Sequence, residues 1–296
     1  MSDKFIDLHV HSVFSDGYKS VSELVNLAKS NNVKIFAISD HDDLRSYEIL
    51  KPLAKKHGLS IISAVELSTY YICPTDNKPK KVHLLGYGID VNNEELLKQM
   101  QIYKNKRFKA NIEMLNTILQ KGIDVPDCVF DEVKFENYLS IASEIKRVLV
   151  KNNYDYDFVK SFIETIKPYV PDYKGYEMDI FKALNIIKNS GGVAVLAHPQ
   201  EIKMSYEDKN ELIKELKKHG LKGIEVYHAD ASYYEMEDNK HLAVDNDLLV
   251  SVGSDYHRPD KNNKTIGSGI NNNLLKSSCS FVNYLEENNM LSLIHI

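Results

Sequence analysis

Phe5-Ile6-Asp7-Leu8-His9-Val10-His11 is a short apolar run that closes on two histidines, and the pattern recurs along the chain. Ile38-Ser39-Asp40-His41, Val82-His83, Val195-Leu196-Ala197-His198 and Gly253-Ser254-Asp255-Tyr256-His257 each set an imidazole at or just beyond the end of a strand-like run. Asp16 follows the first cluster, and Glu66 ends Ile61-Ile62-Ser63-Ala64-Val65-Glu66. Parallel neighbouring strands bring their C-terminal ends to one face of a sheet or barrel, so these clusters are expected to converge there. Imidazole and carboxylate converging on one point is the chemistry of a borderline transition-metal site.

Between the clusters, strand-like and helix-like runs alternate. Strands are predicted at Phe5 to Val10, Lys34 to Ser39, Leu59 to Val65, Val82 to Tyr87, Val193 to Ala197, Gly223 to Tyr227 and Leu248 to Val252. The first helix is predicted from Val21, with Ser20 and Glu23 as a capping box, and the second from Arg45 to His57, ended by Gly58. From Asn92 to Tyr173 the rhythm breaks. Apolar residues there recur at helical spacing, at Leu96, Leu97, Met100, Tyr103, Phe108, Ile112, Leu115, Ile118 and Leu119. The reading is seven strand–helix units in residues 1–91 and 174–296, interrupted after the fourth by a helical insertion of residues 92–173 placed to shape substrate or act as a lid. Such alternation gives an α/β fold with parallel strands, either a doubly wound sheet or a barrel. Ligands from six strand ends favour the barrel, which gathers them round one mouth.

Composition narrows the function. The 296 residues are 43% hydrophobic and 27% charged, as in a globular protein, and the net charge of −5 offers no global field for long nucleic acid. The three cysteines, Cys73, Cys128 and Cys279, are scattered and odd in number, so neither a disulfide framework nor a thiolate metal site is expected. Asp3 stands where a signal peptide would be basic, and no apolar run reaches membrane length, so a cytoplasmic location with no membrane partner is the default expectation. The last residues, Met290 to Ile296, form an apolar stretch for which the sequence offers no account.

His9 and His11, two apart on a strand, point to the same face about 7 Å apart at Cα, close enough to share an ion. Asp255 and His257 repeat that spacing. Taken alone, H-x-H reads equally as two exposed strand-end residues, Glu66 as a solvated acid, His83 as a satisfied core histidine and Asp16 as an Asx-turn. Pro199 stops the strand behind His198. Asp40 is placed to orient an imidazole, because ligating histidines donate their second N–H to an acid or carbonyl. No G-x-S-x-G elbow, Walker loop or G-x-G-x-x-G competes.

The order H-x-H, D-G, S-D-H, E, H, H-P, S-D-x-H resembles the polymerase and histidinol phosphatase (PHP) superfamily of metal-dependent phosphoesterases, within it the subgroup that contains the 3′,5′-nucleotide bisphosphate phosphatases. The resemblance implies a distorted (β/α)₇ barrel and two or three divalent ions of manganese, iron or zinc. It implies that His9, His11, Glu66 and Asp255 hold one ion, that Glu66 bridges to a second held by His83 and His198, and that Asp16, His41 and His257 hold a third. Glu66, Asp255, His257 and Arg147 are the residues it implicates in catalysis. A phosphate-gripping segment of the subgroup, Arg-Pro-His-Ile-Ala-Arg-Ala-Leu, corresponds here to Ala142-Ser143-Glu144-Ile145-Lys146-Arg147-Val148-Leu149. Arg147 matches its second arginine, while Ala142 and Glu144 replace the first arginine and the histidine; Lys146 and Arg258 are alternative phosphate contacts. The expected activity is hydrolysis of a phosphate monoester of a small metabolite, a nucleotide of the 3′,5′-bisphosphate type. Rival readings are a histidinol-phosphate phosphatase, a 5′–3′ exonuclease of short oligonucleotides and, from another class, a non-catalytic metal-binding regulatory module.

Overall fold

A computed structural model describes residues 5–132, 141–169, 173–259, 262–274 and 276–292. Nine strands are assigned among them: β1 (Phe5–Asp7), β2 (Val33–Phe36), β3 (Ser60–Ile61), β4 (Ala64–Cys73), β5 (Lys78–Tyr87), β6 (Met178–Asp179), β7 (Val193–Leu196), β8 (Leu221–His228) and β9 (Leu249–Gly253). The helices are α1 (Val21–Ser30), α2 (Arg45–His57), α3 (Glu94–Gln120), α4 (Asp127–Glu132), α5 (Ile141–Lys151), α6 (Tyr156–Ile166), α7 (Tyr173–Tyr176), α8 (Ile180–Asn189), α9 (Tyr206–Lys218), α10 (Tyr233–Asp245) and α11 (Ser280–Glu287). Ser20 and Glu23 form the capping box on α1, and Gly58 takes the left-handed turn that ends α2, at φ 64°.

The strands form two ladders, β1-β2-β3 and β6-β4-β5-β7-β8-β9. Two seams join them. On one side the Leu8 N–H donates to the Val252 carbonyl at 3.2 Å, and Val10 bridges Tyr256 in parallel. On the other, His41 bridges Glu66 in parallel, with Glu66 N–H to Asp40 O at 3.1 Å and Asp42 N–H to Glu66 O at 2.9 Å. Seven staves, β1, β2, β4, β5, β7, β8 and β9, thus close into the expected barrel.

One stave corrects the all-parallel expectation. β5 runs antiparallel to both β4 and β7. No helix separates β4 from β5: ten residue pairs, from Ala64↔Tyr87 to Cys73↔Lys78, make them a long hairpin turned at residues 74–77. The reversal also corrects the account of His83. That residue precedes the apolar run Leu84-Leu85 rather than ending one, and it reaches the shared face because its strand runs the other way.

The chain divides into two compact units, Met1–Lys98 with Met178–Ile296, and Gln99–Glu177. One boundary falls inside α3 and the other just before β6, where the sequence reading has the insertion at residues 92–173. In the first unit, Ile6, Leu8, Leu85, Tyr87, Val195, Val252 and Phe281 belong to one apolar core. α1 and α2 pack over a second core with Leu24, Val25, Phe36 and Leu50. In the second unit, Met114, Ile118, Val129, Ile145, Leu149, Val159 and Phe162 form a helical core. Of the inserted segment, residues 133–140 and 170–172 lie outside the described residues, as do 293–296 of the apolar end; Leu291 is buried and Ser292 bridges Ile61. No described helix is long and apolar enough to cross a membrane. All three cysteines are free.

Candidate metal centre

The barrel mouth brings together all nine residues singled out above, with Glu66 at the middle, 1% exposed. Its Oε1 lies 2.7 Å from His83 Nδ1 and 2.8 Å from His198 Nε2. Its Oε2 lies 3.1 Å from His41 Nδ1, 3.2 Å from His11 Nε2 and 3.3 Å from His9 Nε2. Asp255 adds Oδ1 at 3.0 Å from His11 Nε2 and 3.5 Å from His9 Nε2. A further group stands beside them: Asp16 Oδ2 is 3.0 Å from His257 Nε2 and 3.8 Å from His41 Nε2, and its Oδ1 is 3.3 Å from His11 Nδ1.

These contacts fit cations better than they fit hydrogen bonds. His9 Nε2 and His11 Nε2 face each other at 3.1 Å, and His83 Nδ1 and His198 Nε2 at 3.2 Å. Glu66 Oε2 has three imidazole nitrogens within reach, yet none meets it in a hydrogen-bonding direction, and it is buried without a partner among the described residues. Nitrogen and oxygen donors aimed at common points are a borderline-metal donor set.

The charge balance points the same way. Burial alone would raise Asp16, Glu66 and Asp255, but neighbouring imidazoles hold all three below the usual carboxylate range. Burial pushes His11 down, and Asp16, Asp255 and Glu66 overcome it to lift the imidazole to about 10. His41 goes the other way, to about 4, because burial together with His11 and Lys81 outweighs Glu66 and Asp16. A buried anionic cluster needs compensating positive charge, and bound cations supply it in place of protons.

Two residues of the centre have left-handed backbone. His198 sits at φ 26° and Asp255 at φ 49°, in the left-handed region that side chains avoid at a cost of about 1–3 kcal/mol each. Gly17 allows the turn before α1, because a Cβ there would lie 2.1 Å from the His11 carbonyl oxygen.

Asp40 corrects its expected part. It accepts the Ser12 N–H, the Ser12 hydroxyl and the Ser15 hydroxyl, each at 2.7 Å, and so orders the turn that carries Asp16 rather than gripping an imidazole. The phosphate candidates stand differently. Arg147 makes a two-pronged ion pair with Glu144, Nε to Oε2 at 2.8 Å and Nη2 to Oε1 at 2.6 Å. Lys146 is exposed, and Arg258 lies over the Tyr18 ring, 4.9 Å from its centroid.

Two residues of the centre were missed in the sequence. Glu225, fully buried, lies 3.1 Å from His9 Nδ1, and His228 Nε2 lies 3.5 Å from Asp255 Oδ2. Both belong to the run Gly223-Ile224-Glu225-Val226-Tyr227-His228, an acid inside an apolar strand and a histidine at its end, which is the signal that marks Glu66 and the other clusters.

A barrel whose mouth gathers six imidazoles and three carboxylates into a cation-binding set defines a metal-dependent hydrolase. Residues 7–239 match the PHP domain, and the chain belongs to that family. It is 29% identical over 264 residues to a 5′-3′ exoribonuclease of Haemophilus influenzae, covering 88% of this chain and 92% of that protein. It is 26% identical over 265 residues to a 3′,5′-nucleoside bisphosphate phosphatase of Chromobacterium violaceum, covering 88% and 90%. Among solved structures, an amidohydrolase from Chromobacterium violaceum with bound sulfate and no metal superposes with a TM-score of 0.79 at 23% identity, over 98% of each chain, a likeness of fold. The protein is a metal-dependent phosphoesterase.

Proposed function

We propose that this phosphoesterase hydrolyses the phosphate ester of a small nucleotide, of the 3′,5′-bisphosphate type. The observation that carries the reading is the division of Glu66, with one oxygen turned to His83 and His198 and the other to His9, His11 and His41. In this reading His9, His11, Glu66 and Asp255 hold one divalent ion, Glu66, His83 and His198 a second, and Asp16, His41 and His257 a third, with manganese, iron or zinc as the candidate metals. When bound, such ions acidify a water and neutralise charge on the phosphoryl oxygens. The chain's own residues set the geometry: Asp40 fixes the turn that presents Asp16, the Glu66 carboxylate spaces the two imidazole sets, and His257, the most exposed imidazole of the set, faces solvent and incoming substrate. Arg147 is proposed to grip a substrate phosphate, in competition with its pair to Glu144.

The exoribonuclease relative supports a second substrate of the same chemistry. A 5′-phosphorylated oligonucleotide and a nucleoside 3′,5′-bisphosphate both carry a phosphoryl group on the 3′ oxygen of a 5′-nucleotide. They differ in whether that group is terminal. The deciding experiment is a turnover screen of the manganese-, iron- or zinc-reconstituted protein on nucleoside 3′,5′-bisphosphates, histidinol phosphate and 5′-phosphorylated RNA oligomers. Release of phosphate from the bisphosphates at the highest kcat/KM is expected. Preference for histidinol phosphate, or no turnover of any phosphate ester, would overturn the proposal, and preference for the oligomers would reassign the substrate.

A further inference from the structure

β8 supplies none of the nine proposed ligands, yet it presses two buried ionisable side chains against them. In a regular strand, residues three apart point to opposite faces. β8 is not regular: Glu225 pairs Ser251 and Tyr227 pairs Val252, so Val226 is an extra residue and the register shifts. Such a bulge re-aims the side chains beyond it. As a result Glu225 and His228 both reach the centre, and both are 0% exposed.

Each makes contacts that orient ligands. The Glu225 oxygens lie 3.1 and 3.3 Å from His9 Nδ1. An ionised carboxylate only accepts, so the His9 proton sits on Nδ1 and the Nε2 lone pair is left for the centre. Glu225 Oε2 also accepts the backbone N–H of His198 at 2.9 Å, the residue held at φ 26°. One carboxylate thereby ties a ligand of the first proposed ion to a ligand of the second. His228 Nδ1 accepts the Asp230 N–H at 3.2 Å, which leaves its own proton on the buried Nε2, 3.5 Å from Asp255 Oδ2, an electrostatic contact rather than a formed hydrogen bond. The other Asp255 oxygen is the one turned to His9 and His11. Space is made for this arrangement: a Cβ on Gly253 would lie 2.2 Å from His9 Cβ and 2.5 Å from Glu225 Oε1. The other acid beside His228, Asp230, is itself paired with Lys264, so this corner does not read as a separate cation site.

We propose that Glu225 and His228 are positioning residues of the metal centre, Glu225 by fixing the His9 tautomer and the strained His198 backbone, and His228 by holding the outer oxygen of Asp255. The proposal rests on the reading of the nine residues as ligands, and its test separates the two. Zinc-loaded full-length protein is examined by ¹⁵N NMR of its imidazoles, and zinc and manganese retention is measured by competition with a chelator. In the wild type the His9 proton is on Nδ1 and protected from solvent exchange. Glu225→Gln, nearly isosteric, binds both metals ten- to a hundredfold more weakly, while the melting midpoint of the metal-free protein is unchanged or raised. A residue with only a structural part would lower that midpoint and leave metal affinity alone. His228→Phe keeps the ring volume without the N–H and weakens retention at least several-fold. A wild type that takes up no ion overturns the centre itself and the positioning roles with it. A wild type that loads normally, with His9 Nδ1 bare or with Glu225→Gln retaining metal equally, overturns the part given to Glu225 while the centre stands; equal retention by His228→Phe does the same for His228. If Glu225→Gln does not fold, the wild-type tautomer still decides.

Discussion

Replacing Glu66 by glutamine tests the centre at its middle. The side chain keeps its volume, but one carboxylate oxygen becomes an NH₂ that donates and cannot ligate. If the amide nitrogen falls on the Oε1 side it meets His83 Nδ1 and His198 Nε2, now 2.7 and 2.8 Å from an acceptor; on the Oε2 side it meets His41, His11 and His9 at 3.1–3.3 Å. Either way one set of imidazoles loses its anionic oxygen, and the other keeps only a neutral one. Two charge-assisted contacts at about 1.5–3 kcal/mol each put the loss at roughly 3–6 kcal/mol, or about 10²- to 10⁴-fold in metal affinity. Replacing a single histidine removes one such contact and should cost roughly ten- to a hundredfold. Glu66→Gln should therefore lower both ion content and turnover below any single-histidine variant. Elemental analysis after reconstitution with manganese, iron and zinc gives ions per chain, with two or three expected in the wild type, and an aryl phosphate reports turnover. Glu66→Gln with full ion content and near-normal turnover would refute the bridge.

Arg147→Ala should lower kcat/KM on the natural substrate by roughly ten- to a hundredfold, about 1.5–3 kcal/mol, with ion content and aryl-phosphate turnover kept; unchanged kinetics with a lower Tm would leave Arg147 only its pair with Glu144. Gly253→Ala would force a Cβ to 2.2 Å from His9 Cβ, so it should destabilise the protein by about 1–3 kcal/mol and loosen metal retention, and a Tm and ion content equal to the wild type would show that the His9–Glu225 contact has slack. Burial pushes the Cys279 thiol up from 9 to about 11. Its contribution to stability is therefore fully present below pH 9 and is lost as the pH rises toward 11, by about 3 kcal/mol. Cys279→Ala should then flatten the fall in urea-unfolding stability between pH 9 and 11, and parallel curves for variant and wild type would contradict the burial argument.

The residues that converge at the barrel mouth are legible because their signal is local and chemical. An imidazole or carboxylate at the edge of an apolar run is unusual whatever the run pairs with, so His9, His11, Glu66, His198 and Asp255 stood out before any topology was known. What pairs with what was less legible. β4 continues through Ser68, Thr69, Tyr70 and Tyr71, a stretch that alternates poorly, and it hid the hairpin behind an apparent βα rhythm. The absence of any helical run between Glu66 and Val82 was the available clue. Glu225 escaped for a different reason. An acid inside a strand points either into the barrel or out to the helices, and only the bulge at Val226 decides that His228, three residues on, shares its face.

The reversed stave is also what lets one carboxylate serve two sets of imidazoles. Glu66 pairs with Leu85 and Ser68 pairs with His83 across the β4–β5 hairpin. Side chains two apart on a strand share a face, and so do directly opposed residues. Glu66 and His83 are therefore diagonal neighbours on one face, near enough for the 2.7 Å contact between them. Parity alone does not carry across the next seam: Leu84 pairs with Leu196 and the His83 carbonyl accepts the Ala197 N–H, so a regular strand would turn His198 to the other face, and the left-handed backbone of His198, at φ 26°, is what departs from that strand and leaves its ring beside His83. A slip of one residue in the hairpin would turn Glu66 or His83 to the opposite face and split the set. Ten consecutive pairs make that slip costly. The length of a hairpin that extends well past the barrel thus acts on the chemistry, because it holds the register on which the shared carboxylate depends.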